Sequence, residues 1–396
     1  MCPRRASCYE RCVDLTLNET QSLVQRTARD YATRVIAPLA AEIDRKERIP
    51  PEIIRGLGEL GLLAVNVPEE LGGSQAGVVS YALAMQEVAR ACASTAVTMA
   101  VTNMVGEVIA KFGTDEQRRR CCPRLARGDE WLAGAFALSE SEAGSDPGGM
   151  RTTARRDGDA WVIDGAKQWI SSGAYAGVFV VWARTGDREH FPGTRGISCF
   201  LVEGGTPGLR VGKHEDKMGL RGSNTASLEF DGCRVPESAL LGQLNGGFKI
   251  AMMALDGGRI GISSQAIGIA RAALAESVQY AKDRKQFDKP IAGFQAIQWK
   301  LADMRTELDA AHLMCMRAAW LKENGRVFSR EASMSKMFAT EAAVRICNEA
   351  VQIHGGYGYT REFAAERHLR DVRVTMIYEG TSEVQRIVVA RNLLGG

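Results

Sequence analysis

Trp131-Leu132-Ala133-Gly134-Ala135-Phe136-Ala137-Leu138-Ser139-Glu140-Ser141-Glu142-Ala143-Gly144-Ser145-Asp146 marks a change of texture in the chain. Upstream the pattern is helical. Glu19 to Asp44 carries Leu23, Val24, Ala28, Tyr31, Val35 and Ile36 near the 3.6-residue period, and Val78 to Phe112 is apolar and too long for a strand. From Trp131 the runs shorten to Trp131–Leu138, Ala160–Ile163, Gly177–Ala183, Gly196–Val202 and Ala226–Phe230. Asp-Gly pairs at 157–158, 164–165 and 231–232 read as hairpin signals between them. Near Gly246 the helical period returns and runs through Ile260–Phe287, Gln295–Glu323, Ser329–His354 and Ser382–Leu394. This order of α, β and α is not the alternation of a doubly wound sheet. It also disposes of Gly56-Leu57-Gly58-Glu59-Leu60-Gly61 as a dinucleotide fingerprint. That motif needs a strand before it, and here Ile49-Pro50-Pro51 precedes a short helical pattern. A helix end and turn is expected instead.

Composition narrows the classes further. Of 396 residues, 45% are hydrophobic and 24% charged, the balance of a globular chain long enough for two or three domains. The formal net charge of +3 forces no basic surface, so nucleic acid is not an expected partner. No run of about 18 apolar residues occurs, and no membrane span is expected. Met1 to Cys12 is short and basic without an apolar centre, unlike a secretory signal. Ten cysteines are scattered at 2, 8, 12, 92, 121, 122, 199, 233, 315 and 347, which reads as reduced thiols rather than a disulfide framework. Cys2, Cys8 and Cys12 are grouped, but a frayed end is the simpler reading, and no metal site is expected.

Four segments carry side chains suited to chemistry. Phe136 to Asp146 runs an apolar strand into small and hydroxylated residues, which lets backbone N–H groups approach an anion or a polar ring. Gln168-Trp169-Ile170-Ser171-Ser172-Gly173 sets an indole beside hydroxyls, a pairing suited to a flat heteroaromatic ligand. Leu255-Asp256-Gly257-Gly258-Arg259-Ile260-Gly261 places two adjacent glycines inside a helical pattern, at about 1 kcal/mol each. Close packing against that face is therefore expected, and Asp256 and Arg259 share it at i, i+3. Ile377-Tyr378-Glu379-Gly380-Thr381-Ser382-Glu383-Val384-Gln385 holds a carboxylate between apolar residues and a glycine. Ser382 and Gln385 form an S-x-x-Q capping box for the helix that follows. Read singly, each segment has a plainer explanation: a strand-to-loop turn, a core Trp, an ion pair, a carboxylate that helps to cap a helix.

Together these runs resemble the acyl-CoA dehydrogenase family from about residue 17 to 394, with the short-chain and short/branched-chain members nearest. The likeness is carried by Ser139–Asp146, Gln168–Gly173, Asp216–Thr225, Leu255–Ala266, Arg284–Gln295, Gln352–Tyr359 and Arg370–Ile387. It implies an α+β fold: an N-terminal all-α domain over 1–130 with a loose extension at 1–16, a middle β-barrel or sandwich domain over 131–245, and a C-terminal four-helix bundle over 246–396. It implies FAD, an acyl-CoA substrate, an electron-transfer flavoprotein as acceptor, a homotetramer, and a cytoplasmic place, or the mitochondrial matrix in a eukaryote. By this resemblance Phe136, Leu138, Ser139, Gly144 and Ser145 line the isoalloxazine, flanked by Trp169, Ile170 and Ser171. Arg284, Gln286, Phe287 and Gln295, with Gln352, Gly355 and Gly356 of another subunit, hold the pyrophosphate and adenosine. Thr381 and Glu383 complete the FAD site. Ser145, Asp256, Arg259, Tyr378 and Gly380 meet the acyl-CoA, and Glu379 is the catalytic base. In isovaleryl and long-chain relatives the base comes from the helix instead. Gly258 stands at that position and cannot serve, which argues against those two types.

The implied reaction removes an α-proton and a β-hydride to give a 2,3-enoyl-CoA. An α-C–H beside a thioester is too weak an acid for a solvated Glu at about pKa 4.3. The family answer is to stabilise the enolate oxygen with the Glu379 N–H and an FAD ribityl hydroxyl, and to desolvate the carboxylate against the acyl chain and Tyr378. The helix N-terminus opposes this by about 0.3–1 kcal/mol, and burial is expected to win. Ser139, Ser141 and Ser171 depart from the usual Thr, Pro and Thr, Glu142 adds charge, and Asp288 stands where Gly is typical, which unsettles the local turn. Other reactions on the same fold are an oxidase or a desulfinase-type elimination. A non-catalytic binding member is a different class, against which the intact site set speaks. Met85, Met252 and Met253 lean towards a short acyl pocket.

Overall fold

A computed structural model describes residues 16–395. Cys2, Cys8, Cys12 and, Thr16 apart, the loose extension lie outside the described residues. Helix α1 (Glu19–Tyr31) opens on a capping box between Asn18 and Gln21. It continues through a distorted stretch at Ala32–Leu39, where Pro38 cannot donate, into α2 (Ala40–Lys46). Helix α3 (Pro51–Glu59) takes in Gly56 and Gly58 of the glycine motif, and the chain turns after it through Leu60 and Gly61, whose φ is 71°. It is a helix end and turn, as expected. Helices α4 (Val78–Ala91) and α5 (Ala93–Phe112) part at an extended Cys92, and α6 (Asp115–Arg127) completes the helical third. Among the described residues α5 alone is, by length and composition, apolar enough to cross a membrane. It is nevertheless buried as a core helix against α4, α7 and the sheet.

The middle of the chain forms one sheet from β1 (Ala133–Ala137), β2 (Thr153–Asp157), β3 (Ala160–Ser171), β4 (Ala176–Arg184), β5 (Ile197–Glu203), β6 (Leu209–His214), β7 (Thr225–Pro236) and β8 (Leu240–Leu241). Its order is β6-β7-β3-β2-β4-β5-β8, with β1 parallel to β4. Strands β2 and β6 carried no apolar alternation because nearly all their residues face water or lie half-buried. Of the three Asp-Gly pairs only 157–158 turns a hairpin. Asp164 lies inside β3, where it faces both Asp231 and Gly232 of β7 across a bulge and accepts the Gly232 N–H at 2.7 Å.

Helix α7 (Gly247–Asp283) is 37 residues long and runs through the centre of the molecule, touching α4, α5, α8 (Gln295–Glu323), α9 (Ser329–His354) and β5. The buried Trp182 of β4 donates to the Gly247 carbonyl at 2.7 Å, which ties the start of α7 to the sheet. Strands β9 (Lys285–Gln286) and β10 (Lys289–Pro290) make a hairpin beyond α7. Its turn keeps left-handed Phe287 and Asp288, φ 52° and 60°, so Asp serves where Gly is usual. Helices α10 (Ala365–Arg373) and α11 (Ser382–Leu394) pack on α9 and close the C-terminal bundle.

Candidate active site

The glycine pair in α7 has the close neighbour its cost implied. A Cβ on Gly258 would lie 2.0 Å from Glu379 Oε2, and one on Gly257 would lie 2.7 Å from Lys322 Nζ. Glu379 sits in the turn between α10 and α11 with φ 52°, an uncommon conformation for a residue with a side chain, and Gly380 follows at 94°. Such strain persists where surrounding contacts over-determine it, and it clusters at functional sites. The contacts here are specific. Gln385 Nε2 donates to the Gly380 carbonyl at 2.9 Å, and Lys336 Nζ donates to the same oxygen at 2.8 Å. The cap of α11 is one residue earlier than the sequence suggested. Thr381 accepts the Val384 N–H, and Gln385 reaches back to the loop instead of boxing with Ser382.

The Glu379 Oε2 atom is sealed from solvent with no hydrogen-bond partner among the described residues. Burial pushes the carboxyl up to about 7, against the pull of Lys336 and Arg259. The expected outcome, burial over helix dipole, holds. Tyr378 adds to the dry wall, its hydroxyl tied to Gln265. Arg259 is buried between α7 and α9, where Nη1 donates to Asp256 at 2.5 Å and to Ser333 at 3.1 Å. Asp256 also takes the Ser329 hydroxyl at 2.9 Å, so the i, i+3 pair exists and is anchored to α9.

Beside this carboxylate, Gly257, Gly258, Met253, Met104, Tyr81 and Glu107 border a small cavity of about 10 Å³. One wall is charged. Lys322 Nζ lies 2.7 Å from Glu107 Oε2, and Asn66 donates to Glu107 Oε1 at 2.6 Å. Of the three methionines weighed from sequence only Met253 lines this cavity, and Met85 belongs to a separate core with Ile43 and Leu57. Glu107 and Lys322 were missed because they are far apart in sequence and look like solvated helix charges.

A second face gathers the other segments. The Gln168 N–H donates to the Ser139 carbonyl at 3.0 Å, which joins the Phe136–Asp146 loop to the end of β3. There Trp169 is held left-handed at φ 64° and is 60% exposed, an apolar ring presented to solvent beside Ser171. Phe136 packs on Trp182 at 4.3 Å, and Leu138 is buried behind it. Gly144 and Ser145 lie on the exposed part of the loop, and a Cβ on Gly144 would meet nothing within 4 Å. A buried pair that sequence reading missed braces this face. Lys167 Nζ bonds Glu140 at 2.8 Å and the Leu138 carbonyl at 3.1 Å. These features fit the FAD expected there: a presented indole, hydroxyls, and open backbone. Near the Glu379 loop, the buried Ser382 Oγ and Gln385 Oε1 lack partners among the described residues, which leaves polar atoms for a ligand at the start of α11. Thr381 and the exposed Glu383 adjoin them.

The remaining expected contacts form a separate corner. Arg284 lies over the Tyr357 ring at 5.6 Å, next to the open glycines Gly355 and Gly356 and the exposed Gln352. Gln286, the 87% exposed Phe287, and Gln295 border it. Arg284 is 26 residues along from Gly258 on one helix and its cap, about 39 Å at 1.5 Å per residue.

Known proteins match this arrangement. Residues 18–129, 135–233 and 245–394 match the family models for the acyl-CoA dehydrogenase N-terminal, middle and C-terminal domains. The chain is 50% identical to the short-chain specific acyl-CoA dehydrogenase, mitochondrial, of Bos taurus over 96% of its length and 91% of that protein. It superposes on the butyryl-CoA dehydrogenase of Megasphaera elsdenii with a TM-score of 0.93 and 41% identity, over 96% of this chain and 100% of the other. A chain in a structure of the electron transferring flavoprotein of Acidaminococcus fermentans gives 0.94 and 42%, over 97% and 100%. With three domain models matched in the order that the helices, sheet and bundle follow, the chain belongs to the acyl-CoA dehydrogenase family and is an FAD-dependent acyl-CoA dehydrogenase.

Proposed function

We propose that this enzyme converts a short-chain acyl-CoA to its 2,3-enoyl-CoA, with Glu379 as the base that takes the α-proton. The observation that carries this reading is the Glu379 carboxylate over Gly258, its Oε2 unpartnered among the described residues and sealed from solvent, beside a small cavity that Glu107 also lines. A base near 7 gives up less driving force to a weak carbon acid than an ordinary Glu while staying about half ionised at neutral pH. The Glu379 N–H donates to no group among the described residues and is available to a thioester oxygen, where it would stabilise developing negative charge. FAD, when bound, supplies the hydride acceptor. Trp169, Ser171, Ser139 and Leu138 would hold its ring, and Thr381 and Glu383 its chain.

The Glu107–Lys322 pair supports the short-chain assignment. Each buried methylene contributes about 0.8 kcal/mol where it fits, but an apolar end driven against this pair would strip water from two charges. In a panel of saturated acyl-CoAs, kcat/KM should peak at about six carbons or fewer and fall beyond. A maximum at twelve carbons or longer would contradict the assignment. Ser171→Ala should slow flavin reduction about fivefold and shift the flavin spectrum, as expected for one lost hydrogen bond. An unchanged rate and spectrum would remove Ser171 from the site.

Two further features belong to this reading. The Arg284–Gly356 corner lies about 39 Å along α7 from Gly258, and we assign it to the flavin of a neighbouring copy in a homotetramer. The likeness to a chain accompanying an electron transferring flavoprotein supports such a protein as the electron acceptor.

A further inference from the structure

A buried charge is costly unless something matches it. Helix α9 nevertheless carries a lysine with no exposed surface directly against the Glu379 loop. Lys336 is 0% exposed, and the one hydrogen bond of its side chain among the described residues runs to the Gly380 carbonyl at 2.8 Å. That oxygen already has a neutral donor in Gln385 at 2.9 Å, so satisfying it does not by itself require an ammonium. What the ammonium adds is a fixed positive charge behind Glu379. Among the charges that act on the Glu379 carboxylate Lys336 is the strongest, ahead of Arg259. The peptide it grips is also the one that needs gripping, since Glu379 and Gly380 are both left-handed.

We propose that Lys336 is a positioning residue for proton abstraction: it pins the Gly380 carbonyl, fixes the left-handed Glu379 backbone, and keeps the carboxylate ionised over Gly258. This rests on Glu379 being the base. Burial brings Lys336 down to about 8, opposed chiefly by Glu379, so it is charged where the base must work. The other groups around the carboxylate do not compete for this role. Tyr81 of α4 and Tyr378 of the loop are pushed well above the ordinary phenol range by burial and stay neutral. Arg259 of α7 is lowered by burial but already serves Asp256, and Glu383 of α11 and Glu341 of α9 act on Lys336 less than Glu379 does.

The test is flavin reduction by a short acyl-CoA, followed across neutral pH in the FAD-loaded enzyme. Lys336→Met keeps the length and loses charge and donor. Its acid limb should move about one pH unit upward, as removal of a neighbouring opposite charge requires, and its plateau should fall about tenfold. Lys336→Arg should return the limb towards the parent position. A folded, FAD-loaded Lys336→Met with the parent limb overturns the proposal, whether or not its plateau or melting temperature drops. If that variant does not fold, Lys336→Gln is read for the same two outcomes. Glu379→Gln is run alongside: rapid bleaching there removes the base itself, whereas a slow Glu379→Gln with an unmoved Lys336→Met limb removes only the role of Lys336.

Discussion

Glu379→Gln should retain FAD and bind acyl-CoA, yet reduce its flavin about 10²- to 10⁴-fold more slowly, the usual contribution of a positioned base. Shape and the backbone N–H are kept, and only the proton acceptor is lost. Stability should move the other way. The carboxyl titrates near 7 in the fold against about 4.3 in the unfolded chain. A folded-state value raised in this way means that the charged form is disfavoured by folding. The burden is absent below the unfolded value, grows as pH rises through the window between the two, and is complete above about 7. Removing the charge therefore relieves on the order of 3 kcal/mol at pH 8 and nothing at pH 4. A melting temperature that holds or rises at pH 8, beside a collapsed rate, separates a base from a helix cap. A cap would lose about 1 kcal/mol with its chemistry intact, and the α11 cap is in any case Thr381.

Gly258→Ala makes the complementary test from the opposite wall. Its new methyl would lie 2.0 Å from Glu379 Oε2 and 2.7 Å from Cδ, so the carboxylate must swing away. The obstacle is the far end of a flexible side chain rather than backbone, and Gly→Ala inside a helix contributes up to about 1 kcal/mol of stability. The fold should therefore be unharmed or slightly firmer. A base displaced by about 1 Å commonly costs about 10²-fold in rate, and a loss of that order in flavin reduction is expected. Parent-like rates with a parent-like melting curve would show that the base does not act from the position seen here.

Several of these relations were open to the sequence, for identifiable reasons. The α, β, α order was legible because long 3.6-period runs bracket short apolar ones, and α8, α9 and α11 have the limits the pattern suggested. The adjacent glycines announced a close approach, and Glu379 is what approaches. Strands β2 and β6 were not legible, since their order comes from their partners rather than from any apolar face of their own. Two Asp-Gly pairs misled because Asp-Gly suits a bulge as well as a turn. The capping box misled because Thr381 competes with Ser382, and Gln385 is drawn to the Gly380 carbonyl. Lys336, Lys167, Glu107 and Lys322 stayed hidden for a common reason. A lysine or glutamate in a helix or strand reads as solvated, and only the fold shows which of them faces another charge indoors.

The most direct measurement on the central claim is the pH dependence of anaerobic flavin reduction by a short acyl-CoA, taken in a single turnover so that product release does not intrude. With the base desolvated to about 7, the rate should fall tenfold per pH unit below that value and level off above it. The limb should be missing from the residual rate of Glu379→Gln. A limb near 4 to 5, where an exposed carboxylate titrates, or the same limb persisting in Glu379→Gln, would contradict a buried Glu379 as the base.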